Sequence, residues 1–137
     1  MELVSPDKKY STGHSIVYSC QYHIIFCPKY RRPVLRGEIN TRFKGLLLEK
    51  QGVYGYRVVE MEVMPDHVHL LLDVDPRVGI QKVVAQIKGY TAHTLRAEFP
   101  SLVSRLPSLW TRSKFISTVG AVTLDVVKQY IEDQKGK

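Results

Sequence analysis

The chain has 137 residues, 44% apolar and 24% charged, an ordinary globular balance that excludes a disordered or low-complexity chain and leaves room for one folded domain over residues 1–137. Lysine and arginine number 20 against 13 acidic residues, so the net charge is +7 with histidine neutral, which favours a polyanionic partner. Apolar clusters such as Ile24–Cys27 and Val68–Leu72 fall far short of the roughly 20 residues needed to cross a bilayer, and Met1–Tyr10 carries Glu2, Asp7, Lys8 and Lys9 where a secretory leader needs an apolar run, so a cytoplasmic protein away from membranes is expected.

Residues 16–27 alternate, with Ile16, Tyr18, Cys20, Tyr22, Ile24 and Phe26 on one face and Val17, Ser19, Gln21, His23 and Ile25 on the other. This pattern predicts one strand with a buried face and a mixed face. Cys20 and Cys27 would then point to opposite faces, and both are expected to be reduced thiols. Pro28 ends the strand and opens a basic, aromatic loop of Lys29, Tyr30, Arg31 and Arg32. Ile39, Phe43, Leu46, Leu47 and Lys50 recur at helical spacing, which predicts a helix from Ile39 to Gln51 with Gly52 as its stop.

Tyr54–Met64 is rich in valine and tyrosine, and Met64-Pro65-Asp66 forms a turn signature before a second run, His67–Val74. Two adjacent strands follow. In the second, Val68, Leu70, Leu72 and Val74 point one way, and His67, His69, Leu71 and Asp73 the other. Ile80, Val83, Val84, Ile87, Thr91, Thr94 and Leu95 trace the apolar stripe of a long helix from Gly79 to Glu98, with Lys82, Gln86, Gly89, His93 and Arg96 opposite. Pro100 and Pro107 bracket a looser stretch, Trp110–Val119 reads as a strand region stopped by Gly120, and a last helix begins near Thr123 with Leu124, Val127 and Ile131 as its stripe. The order strand, helix, strand, strand, helix, strand, helix predicts a ferredoxin-like α+β fold with an extra C-terminal helix.

Two residue groups carry chemistry. His67 and His69, one residue apart on a strand, share a face with backbones about 6.5 to 7 Å apart, from which two imidazoles can converge on one metal ion. Tyr130 and Gln134 lie one helical turn apart and offer a nucleophilic phenol beside a neutral oxygen ligand. Each group alone also suits an ordinary packed or solvated surface. Together they suit a metal site of two histidines and an amide with a tyrosine next to it.

The blocks Tyr22–Arg32, Met64–Leu72, Ile87–Tyr90 with Phe99-Pro100, Leu109-Trp110 through Thr118-Val119-Gly120, and Tyr130–Gln134 resemble the single-tyrosine HUH transposases of bacterial and archaeal single-stranded insertion sequences. The resemblance runs from about Tyr10 to Gln134 and departs at no motif position. It implies a DNA transposase in which His67, His69 and Gln134 bind Mg²⁺ or Mn²⁺ and Tyr130 attacks DNA to give a 5′-phosphotyrosine link and a free 3′-hydroxyl. It also implies a homodimer whose tyrosine helix can complete the partner's metal site, and subterminal DNA hairpins as the recognised feature.

The expected DNA-binding residues are Lys29, Tyr30, Arg31 and Arg32 after the first strand, and Lys82, Lys88, His93 and Arg96 on or beside the polar side of the second helix. Cations hold phosphates, and an interleaved aromatic can stack on a base. The nine glycines are scattered and form no phosphate-binding loop, so no nucleotide cofactor is expected. A non-catalytic module of the RNA-recognition type shares the element order, but its aromatic run is missing and it gives the histidines and Tyr130 no joint role. A related HUH nickase or relaxase shares the chemistry and would be expected to carry further domains.

Overall fold

In the computed structural model, which describes residues 10–13, 16–120 and 123–137, the central sheet has four strands. These are β3 (Gln21–Phe26), β4 (Tyr56–Met64), β5 (His67–Val74) and β6 (Phe115–Thr118), arranged in the order β4-β5-β3-β6 with every pairing antiparallel. A separate hairpin of β1 (Ser11–Gly13) and β2 (Ile16–Tyr18) precedes it. The helices are α1 (Gly37–Glu49), α2 (Gln51–Tyr54), α3 (Ile80–Glu98), α4 (Ser101–Ser104) and α5 (Leu124–Asp133). The N-terminal stretch read above as lacking a leader lies, up to Lys9, outside the described residues.

The single strand expected over residues 16–27 is divided. β2 pairs only with β1, and the break at Ser19 and Cys20 is fixed by Asp73, whose buried carboxylate accepts from the Cys20 amide at 2.8 Å and from the Ser11 hydroxyl. A charged acceptor for two donors, paired further with Arg57 at 3.3 Å, turns the chain away from the ladder. Gly52 is not the stop of the first helical segment either. The helical run continues through α2 and ends at Gly55, which adopts φ +79°, the left-handed conformation a glycine tolerates.

Parity along β3 and β5 builds two cores. Ile24, Phe26, Val68, Leu70, Leu72 and Val74 face α1 and α3, where Phe43, Leu46, Leu47, Val83, Val84, Ile87 and Leu95 complete the main core. Each such side chain contributes roughly 1.5–3 kcal/mol of burial. On the other face Ile25 packs against Val127 and Ile131 of α5, with Phe115 and Tyr130 at the margin. The face expected to be mixed is therefore covered, and His23 and His69 become buried residues.

Of the expected strand from Trp110 to Val119, only β6 is regular. Trp110 makes an isolated bridge to Pro28 and packs edge-on against Phe26 at 4.7 Å between ring centroids, while its indole N–H donates to Thr91 Oγ1 at 3.1 Å. Backbone bonds from Lys29 N to Leu109 O, 2.7 Å, and from Thr111 N to Cys27 O, 3.0 Å, tie the 109–114 loop to the end of β3. Cys20 and Cys27 are both free thiols; burial, then the charge of Asp66, pushes Cys27 up to about 12. No described helix is long and apolar enough to cross a membrane.

Candidate active site

His67 and His69 stand on the α5 side of β5, with Ile25 of β3 directly across from His69 in the register. The turn before β5 places Asp66 so that its Oδ1 lies 2.9 Å from His67 Nδ1. A proton held on Nδ1 by that carboxylate leaves the lone pair on Nε2. His67 Nε2 is buried and has no hydrogen-bond partner among the described residues. His69 Nε2 shares a 3.0 Å hydrogen bond with His23 Nδ1 from the neighbouring strand. Burial, followed by the charges of His23 and His67, lowers His69 to about 4, and burial also lowers His23. His69 is therefore a neutral imidazole at pH 7.

Gln134 caps the C-terminus of α5, and its Oε1 is also buried without a hydrogen-bond partner among the described residues. A ring nitrogen and an amide oxygen that are desolvated and left without a hydrogen-bond partner cost free energy. Imidazole nitrogen and amide oxygen are both donor types that divalent cations accept.

Tyr130 projects from α5 onto the same face, its ring 5.4 Å from that of Phe115. Its hydroxyl lies 2.7 Å from Ser113 Oγ. Burial raises the Tyr130 phenol above its ordinary range, and the Ser113 hydrogen bond opposes the rise. Ser113 sits on the loop that Trp110 anchors, and Lys88 Nζ donates to Thr111 O at 2.7 Å and to Ser113 O at 3.2 Å. Burial, then repulsion from Lys114, lowers Lys88 to about 8.

Arg31 joins the two halves of the site. Its Nε lies 3.3 Å from Asp66 Oδ2, and its Nη1 donates to Glu132 Oε2 at 3.3 Å and to Ile131 O at 3.4 Å. One guanidinium thus links the carboxylate behind His67 to the last turn of α5. Tyr30 and Arg31 both adopt positive φ, 60° and 52°, a conformation that costs roughly 1–2 kcal/mol per non-glycine residue. The bond from Tyr30 N to Lys137 O, 3.1 Å, and the Arg31 ion pairs hold it.

The remaining expected DNA-binding residues divide by environment. Tyr30, Arg32, Lys82 and His93 are exposed, and Lys29 Nζ sits 5.2 Å above the Tyr30 ring. Lys88 is engaged by the loop carbonyls, and Arg96 donates through Nη2 to Leu106 O at 3.2 Å. Sequence reasoning did not single out Ser113, Asp66 or His23 as site residues. Asp66 and His23 carried a usable signal, one preceding the histidine pair and the other at matching strand parity. Ser113 carried none, because only the folded loop brings it to Tyr130.

Residues 16–134 match the family described as "Transposase IS200 like". The chain is 40% identical over 127 residues to the ISDra2 transposase TnpA of Deinococcus radiodurans, covering 91% of each chain. It is 32% identical over 124 residues to the transposase of insertion sequence element IS200 from Salmonella typhimurium, covering 86% of this chain and 81% of that one. Among solved structures, a crystal structure of a protein assigned as a transposase from Deinococcus radiodurans superposes with TM-score 0.82 at 36% identity, over 93% of this chain and 99% of the other. A REP-associated tyrosine transposase bound to a REP hairpin shares the fold at TM-score 0.57 and 10% identity, over 95% of this chain and 69% of that one.

Proposed function

The chain belongs to the IS200-like transposase family, and on that premise we propose that it cleaves and rejoins single-stranded DNA through a covalent bond to Tyr130. The observation that carries this reading is the pair of unpartnered buried atoms, His67 Nε2 and Gln134 Oε1, together with His69 and a half-buried tyrosine on one sheet face. We read the strand order β4-β5-β3-β6 with α1 and α3 on one face as the ferredoxin-like scaffold, with α5 added to deliver the nucleophile.

His67, His69 and Gln134 would hold the divalent cation, Mg²⁺ or Mn²⁺. When bound, it offsets the charge on a phosphodiester and orients the phosphorus. Asp66 fixes the His67 tautomer, and burial keeps His69 unprotonated. Arg31 pairs with Asp66 and with Glu132, which ties the end of α5 to its own chain's histidine turn in this arrangement. Ser113 holds the phenol hydroxyl while no substrate is present. In the reaction Tyr130 Oη loses its proton and bonds phosphorus, the phosphorus to 3′-oxygen bond breaks, and the departing oxygen takes a proton to become a 3′-hydroxyl. The phosphotyrosine keeps the bond energy, so an incoming 3′-hydroxyl can reverse the step without a nucleotide cofactor.

The substrate is single-stranded DNA with subterminal hairpins. The net charge of +7 and the hairpin bound by the structural neighbour support that choice. The working unit is a homodimer in which α5 of either copy can serve a given histidine pair. Labelled strands from both sides of the gene, incubated with Mg²⁺ or Mn²⁺, test the activity. The expected products are a shortened strand ending in a 3′-hydroxyl and a rejoined strand, both absent for His67→Ala. Products that persist in His67→Ala or in chelator contradict the assignment. Mixed dimers of His67→Ala and Tyr130→Phe chains then show which copy becomes linked to DNA.

A further inference from the structure

We propose that a cleft walled by Arg32, Arg36 and Arg105 binds the phosphodiester backbone of single-stranded DNA beside the cleavage point. The cavity has a volume of about 450 Å³ and is lined by these three arginines with Pro33, Val34 and Leu106. All three guanidiniums belong to exposed residues, and none pairs with a carboxylate among the described residues. Two other exposed arginines are neutralised, Arg42 by Glu98 at 2.9 Å and Arg77 by Asp75 at 2.7 Å. Three cations without carboxylate partners lining one concave surface suit a string of phosphates.

The walls are fixed. Leu35 and Leu106 are buried in the core beside the arginines, Leu35 N donates to Pro65 O at 3.0 Å, and Arg105 N donates to Ser101 O at 3.1 Å at the end of α4. Arg96 Nη2 holds Leu106 O at 3.2 Å from behind. The placement relative to the site is set by chain connectivity, since Arg31 contacts Asp66 behind His67 and the next residue, Arg32, lines the cleft. Pro65, whose carbonyl anchors Leu35, immediately precedes Asp66. One wall of the cleft therefore follows directly in the chain from the residue that meets the histidine turn. Apolar Pro33 and Val34 on the lining suit the sugars of an unpaired backbone. The inference rests on the reading of the site as a single-stranded DNA enzyme, although its test does not require cleavage.

Fluorescence anisotropy with a short labelled single strand that forms no hairpin, without added metal and over a range of salt, measures the contact. For single strands each phosphate contact contributes about 0.7 to the slope of log affinity against log salt. Arg105→Gln and Arg36→Gln should each reduce the slope by about 0.7 and weaken binding about fivefold at 0.1 M salt, and the double variant should do so about twice over on the logarithmic scale. Arg105→Lys should keep the slope. An abasic strand should bind like the native one, and a methylphosphonate strand should lose the effect of the substitutions. A double variant with wild-type affinity and slope overturns the proposal, as does binding that needs the bases and survives backbone neutralisation. If the slope changes but no protein-DNA adduct ever forms, the cleft stands and the catalytic reading falls. If adducts form and the slope is unchanged, the cleft alone falls.

Discussion

Asp66 Oδ1 lies 2.9 Å from His67 Nδ1, and the same carboxylate's other oxygen lies 3.3 Å from Arg31 Nε. This contact decides which nitrogen of His67 is free, and it connects that choice to the last turn of α5 through Glu132. Removing the carboxylate in Asp66→Ala leaves both ring nitrogens open and leaves Arg31 held by Glu132 and the Ile131 carbonyl. Mn²⁺ affinity, measured by calorimetric titration, should fall about 10- to 100-fold while the thermal transition stays cooperative. Unchanged affinity would mean that Asp66 does not orient His67.

The Ser113 hydroxyl at 2.7 Å is the group that opposes the burial-driven rise of the Tyr130 phenol. In Ser113→Ala the phenol should titrate higher still. The difference between Ser113→Ala and a Ser113→Ala, Tyr130→Phe double variant in ultraviolet alkaline titration isolates this one tyrosine. A Tyr130 titration that stays the same or moves down would remove Ser113 from the account.

Lys88 gives a pH signature of stability. Its ordinary value is 10.5, and in the folded chain burial lowers it to about 8. Between those values the unfolded chain binds more protons than the folded one, so this residue's contribution makes stability rise with pH across that window. Below pH 8 the buried charge is a cost, and deprotonation relieves it. Lys88→Met should therefore lose up to one proton's worth of slope between pH 8 and 10, read from urea midpoints against wild type. The same slope in both proteins would contradict the burial of this charge.

Gly55 and Gly52 should respond in opposite directions to the same change. At Gly55, φ is +79° and an added Cβ would lie 2.8 Å from Val78 Cγ2, so Gly55→Ala should cost about 2 kcal/mol or more from backbone strain and overpacking. At Gly52 the added Cβ meets nothing within 4 Å, and Gly52→Ala should stabilise by about 0.5–1 kcal/mol. Chemical denaturation separates the two.

The elements with strong periodicity were legible in the sequence. The α3 stripe of Val83, Val84, Ile87, Thr91 and Leu95 is buried as its spacing predicts, and the parity of β5 put His67 and His69 on one face. The division of residues 16–27 was not legible, because Asp73, far along the chain, supplies the acceptor that breaks the alternation. Gly52 and Gly55 are indistinguishable by composition, and only the fold shows Gly55 as the stop, with Val78 packed close and Asp75 N donating to its carbonyl. In the site, short-range pairs such as Asp66 with His67 could be read from adjacency. Ser113 with Tyr130 and Arg31 with Glu132 could not, since those contacts exist only after the 109–114 loop and α5 have docked.

The central claim is that Tyr130 becomes covalently attached to DNA. Wild-type protein incubated with a single strand from its own element end and Mn²⁺, then digested and analysed by mass spectrometry, tests it directly. The expected product is a nucleotide-bearing peptide that contains Tyr130, absent in Tyr130→Phe and in His67→Ala. A modified peptide from elsewhere in the chain, or an adduct that survives Tyr130→Phe, would contradict it.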